Sequence, residues 1–174
     1  MTLSALHLTA IHWSQQISYP VLAALQILPL LALLMPRLVK HARLQYWITL
    51  LIVTVEMLLA IDLYRHVDTA SNAWQFAEYL PILGALQYHA AVNGVGVLFI
   101  LLTALICLMV VIYIEVVGLH ERLPLFRLVM LCEASLMSQF ASIDMLWFSL
   151  VSGIQMTASG YMMWYWATSP DRDR

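Results

Sequence analysis

The run Val92–Val117, VNGVGVLFILLTALICLMVVIYIEVV, decides how the rest of the chain is read. Asn93 near its start and Glu115 near its end are its only strongly polar side chains. A bilayer hydrocarbon core about 30 Å thick takes roughly 20 mostly apolar residues per helix, so this run predicts one span. Working outward, two earlier apolar runs, Ile17 to Pro36 and Tyr46 to Tyr64, are separated by Arg37, Lys40, His41 and Arg43. On the other side, a turn at Gly118 to Pro124 leads into Leu125 to Trp166, which is too long for one span and divides near Ser142-Ile143-Asp144. The expected architecture is an all-α integral membrane protein, a single transmembrane domain over 1–174. Its five spans fall at about 17–36, 46–64, 92–117, 125–141 and 144–166. The external segment 67–91 contains Pro81 and Gly84 and is expected to be an irregular loop or a surface helix, with Trp74, Phe76 and Tyr79 at the interface.

Composition points the same way. Of 174 residues, 63% are hydrophobic and 10% charged, whereas soluble domains carry roughly 25% charged residues. That length holds little besides spans, so neither a soluble catalytic domain nor an enzyme is expected. The net charge of -2 gives no reason to expect nucleic acid. Met1 to Trp13 carries no Lys or Arg ahead of an apolar core, so no cleaved signal is expected. Orientation follows from the cations: with the N-terminus outside, Arg37, Lys40, Arg43, Arg122, Arg127, Arg172 and Arg174 lie on the cytoplasmic side and Arg65 alone lies outside. This bias predicts a cytoplasmic C-terminus and an odd number of spans.

Ionisable groups inside a bilayer are costly and mark candidate sites. Glu56 lies near the middle of the second span and Glu133 near the middle of the fourth. They are read either as a proton or cation relay or as carboxyls kept neutral by burial or bonded to a neighbouring subunit. A relay usually adds a paired Lys or His, and none stands at mid-depth here. Asp62, Glu115 and Asp144 sit at span ends, where solvated or capping roles are expected. The six histidines fall in loops or at span ends, against haem ligation inside the bundle. Cys107 and Cys132 have no C-x-x-C spacing and are expected to pack. No cofactor or metal is anticipated. Small residues recur every four positions at Ser149, Gly153 and Thr157, continued by Gly160, and at Ala134, Ser138 and Ser142. Such stripes let helix backbones approach closely in lipid, either inside the bundle or against a partner.

The segment Tyr88-His89-Ala90-Ala91-Val92-Asn93-Gly94-Val95-Gly96-Val97, continued by the apolar run to Leu101-Leu102-Thr103, resembles the loop and third helix of the antiporter-like subunits of respiratory complex I. Relatives of that family include large subunits of cation/proton antiporters, membrane-bound hydrogenases and the membrane subunit of bacterial inorganic-carbon accumulation systems. Glu133 and Phe140-Ala141-Ser142-Ile143-Asp144-Met145 are similar to its fourth helix and the turn into the fifth. The resemblance covers about half of the chain and implies the N-terminal third of the antiporter-like fold. Three departures stand beside it. The loop Asp of the family is Asn93, the channel Glu of its fifth helix is Gly153, and the chain ends before the helices that carry its paired Lys and second inverted repeat. The resemblance therefore implies a truncated, non-conducting accessory subunit in the bacterial inner (plasma) membrane, held against a full-length antiporter-like subunit in a hetero-oligomeric complex. Complex I works with full-length antiporter-like subunits, which tilts the expectation toward inorganic-carbon (CO2/bicarbonate) accumulation. The alternative is a small homo-oligomeric ion transporter using Glu56 and Glu133.

Overall fold

Five helices form along the five apolar runs in the computed structural model, which describes residues 20–38, 41–68, 74–83, 86–118 and 122–167. They are α1 (Val21–Leu38), α2 (Ala42–His66), α3 (Gly94–Val117), α4 (Arg122–Ala141) and α5 (Met145–Ala167). Two of them, over Arg43–His66 and Gly94–Val117, are long and apolar enough to cross a membrane. Local chemistry sets their ends. Asn93 opens α3, its Oδ1 accepting the Gly96 N–H at 2.7 Å, and Gly118 closes it with φ 72°, a left-handed conformation that glycine adopts without steric cost. Asp144 opens α5, its Oδ1 accepting the Leu146 N–H at 2.9 Å. The expected division at Ser142-Ile143-Asp144 is therefore where α4 gives way to α5. The start of the expected first span (17–19), Lys40 and the tail Ser169 to Arg174 lie outside the described residues.

The segment 67–91 is neither an irregular loop nor a surface helix: it holds an antiparallel hairpin of β1 (Gln75–Leu83) and β2 (Leu86–Val92). Pro81 and Gly84 obscured it, and the register shifts between Gln75 and Glu78 and between Pro81 and Leu83 break the two-residue alternation by which strands are recognised. Phe76 sits at the first shift with φ 54°, unusual for a bulky residue. Its ring is buried in the core rather than lying at an interface.

The hairpin closes one end of the bundle. Glu78 accepts the N–H groups of Leu22 and Ala23 at 2.8 Å each, capping α1. The His89 carbonyl accepts the Ile143 N–H at 3.2 Å, holding the α4–α5 turn, and Gln75 makes two hydrogen bonds to the backbone of Asp68, just past α2. A Cβ on Gly96 would come within 3.1 Å of the Phe140 carbonyl, so the start of α3 lies against the end of α4.

Helices α1 to α4 form a ring in which each packs on the next and α4 returns to α1, leaving α2 and α4 across the diagonal. Helix α5 is outside the ring and packs on α4. Two apolar clusters fill the ring. One, with Leu22, Leu63, Val97 and Met137, lies toward the hairpin; the other, with Ile52, Val111, Phe126 and Met130, lies toward the opposite end.

Candidate functional site

Three polar side chains meet where the two clusters adjoin. Glu56 lies between Val53 and Ala60 on α2, Cys107 between Ala104 and Val111 on α3, and Glu133 between Met130 and Met137 on α4, all buried. Spacings of three and four place each polar residue on the inward face of its helix. The four-helix ring thus carries a polar layer at mid-length, the place where bundles build sites from facing helices.

Glu56 is 0% exposed and Glu133 2% exposed, and their carboxyls interact across the diagonal. The Cys107 thiol donates to Glu133 Oε2 at 2.9 Å. Apart from each other, Glu56 Oε1, Glu56 Oε2 and Glu133 Oε1 meet no hydrogen-bond donor among the described residues. The only cation on α4 beyond its first residue is Arg127, which is exposed, and α2 carries none between Arg43 and Arg65. Two carboxyls side by side in apolar surroundings do not both ionise. Chemically the pair can hold one proton, or present one negative charge to one cation. Sequence reasoning singled out both glutamates, and the fold brings them together. It missed Cys107, for which a lone thiol in an apolar run gives no signal.

A cavity of about 210 Å³ opens beside the pair, between α3, α4 and α5. Its walls are almost wholly apolar, and Thr103, Cys107, Val129, Cys132, Glu133 and Met162 are among its lining residues.

The small-residue positions separate into two environments. Ala134 and Ser138 are buried on α4, and Ser138 Oγ accepts the Trp147 indole N–H at 2.9 Å, joining α4 to α5. Ser149, Gly153, Thr157 and Gly160 are all exposed on α5. A Cβ at Gly153 or Gly160 would meet nothing within 4 Å. The Ser149 and Thr157 hydroxyls bond the carbonyls of Met145 and Gly153 in their own helix at 2.8 Å. Among the described residues the α5 stripe makes no close helix contact. Of the loop motif, Asn93 caps α3 and Gly94 is its first residue. Only the backbone of Tyr88 is described, paired with Leu80. The three motif positions form the junction of hairpin and helix, away from the carboxyl pair.

No family model matches the chain, and no curated protein matches it.

Proposed function

We propose that this chain is a five-span membrane subunit, N-terminus outside and C-terminus cytoplasmic, that packs through α5 against a full-length antiporter-like subunit in a proton- or cation-coupled complex of the bacterial inner membrane. The observation that carries the proposal is the face of α5 that no described residue covers. Its small residues stand exposed beside Met145, Met156, Met163 and Trp164, which are 83%, 79%, 74% and 63% exposed. Helices in lipid gain nothing hydrophobic by meeting, so association depends on the close backbone approach that Gly153 and Gly160 permit. Outward apolar side chains on α2 and α3, such as Leu51, Leu58, Leu98 and Met109, fit a lipid surround. The resemblance in the loop and third helix supports an antiporter-like partner. Gly153, standing where that family carries a channel Glu, supports an accessory rather than conducting role, and inorganic-carbon accumulation is the system favoured.

A second reading is favoured by one specific observation, the Glu56–Glu133 contact at the centre of the bundle: a small homo-oligomeric transporter that moves protons through that pair. Purification of the tagged chain in mild detergent separates the two. Recovery with a large antiporter-like subunit supports the accessory role, and recovery as a homo-oligomer alone supports the transporter.

A further inference from the structure

We infer that the cavity between α3, α4 and α5 is a slot for one acyl chain of a bilayer lipid, held by hydrocarbon contact alone. Packing sets its shape. Helices α3 and α5 each pack on α4 and make little contact with one another, so Ile106 on α3 and Met162 on α5 belong to its two walls, over a floor that includes Val129 and Cys132 of α4. The slot is open, almost wholly apolar and about 210 Å³. An apolar cavity of about 150 Å³ takes benzene and stays free of water. Cys107 and Glu133 are lining residues too, but the thiol donates to the carboxyl at 2.9 Å. Their polar ends engage one another, and the guest that fits the remaining walls is a neutral hydrocarbon.

Depth identifies which hydrocarbon. Ile106 lies halfway along α3 (Gly94–Val117) and Cys132 halfway along α4 (Arg122–Ala141). In a spanning bundle that level is the middle of the apolar core, where acyl chains are the surrounding medium. Ile106 is 54% exposed at the rim, so the slot communicates with that medium. A partner helix is the other apolar occupant at hand, and its seat is elsewhere. Met162 shares a face of α5 with the buried Val151 and Ala158, at steps of seven and four residues. The stripe of Ser149, Gly153 and Thr157 lies on the opposite side of that helix. An acyl chain in the slot gives α5 a second surface to pack on besides α4, and it supplies the dispersion contacts that the lining side chains otherwise lack. The inference rests on the membrane-spanning reading above and is independent of docking at the stripe.

The test uses the full chain in nanodiscs of a phosphatidylcholine whose acyl chain carries a diazirine at its midpoint; after irradiation, peptide mass spectrometry locates the adducts. Val129 and Cys132 are only partly exposed, yet they should be labelled at least as heavily as Leu51 and Leu58, which stand exposed on α2. Met162→Trp, which fills the slot, should lower labelling of Val129 and Cys132 several-fold and leave Leu51 and Leu58 unchanged. If Met162→Trp does not fold, Ile106→Trp at the exposed rim replaces it, with the same expectation. Labelling of Leu51 and Leu58 without Val129 and Cys132, or slot labelling that the substitution leaves unchanged, would overturn the inference while the spanning reading stands. No adduct on any of the four residues would overturn the spanning reading and the inference with it.

Discussion

Glu56 has no exposed surface, and among the described residues its two carboxyl oxygens meet no donor other than the facing carboxyl. An unsatisfied buried polar group costs about 1–3 kcal/mol, more when charged. The site is therefore a local weakness that packing elsewhere offsets, as residues at functional positions commonly are. Glu56→Leu, similar in volume and flanked by Val53 and Ala60, should stabilise the chain by on the order of 1–3 kcal/mol; thermal unfolding in detergent measures it, and a loss of stability would show that the contact with Glu133 outweighs the burial cost. Gly96 behaves oppositely. A methyl there would press on the Phe140 carbonyl at 3.1 Å, a backbone atom that cannot swing aside, so Gly96→Ala should destabilise by about 1–3 kcal/mol. Gly153→Ala, which meets nothing within 4 Å, should stabilise the isolated chain by about 0.5–1 kcal/mol, because glycine inside a helix gives up more backbone freedom than alanine. That Glu56 and Glu133 are mid-helix was legible in the sequence. Their meeting was not, because it depends on α2 and α4 standing across the ring, a tertiary relation no periodicity encodes.

At the scale of elements, the apolar runs located all five helices, and Asp144 and Gly118 marked real boundaries because caps act within a few residues of themselves. The hairpin was illegible because two register irregularities erase its alternation. The strand that matters most for assembly is β1, through Glu78. Burial pushes the Glu78 carboxyl above its ordinary value of 4.5, and the N–H groups of Leu22 and Ala23 oppose that shift without cancelling it. Glu78 thus retains its proton in the folded chain at pH values where the unfolded chain has lost it. Its contribution to stability is fully present below 4.5 and is lost as pH rises through the folded-state value. Melting temperatures measured upward from pH 4.5 should carry this falling component, and Glu78→Gln should remove it; an identical pH profile in Glu78→Gln would show that the carboxyl is not buried against α1.

For the molecule as a whole, α1 to α4 satisfy one another around a shared core, while α5, among the described elements, packs chiefly on α4. The sequence showed that Ser149, Gly153, Thr157 and Gly160 form a stripe; whether it faces inward or outward required the fold, since the average composition of α5 is apolar around its whole circumference. Gly153 tests docking at this face with least disturbance, because among the described residues nothing lies within 4 Å of where its Cβ would stand. Gly153→Leu should leave folding intact while weakening the docked contact by about 1–3 kcal/mol. The decisive measurement is recovery of co-purifying membrane subunits on a tag attached to this chain, at matched expression, for the unaltered protein and for Gly153→Leu. A large antiporter-like subunit should be retained by the first and largely lost by the second; equal recovery by both, or no partner recovered by either, would contradict docking at this face.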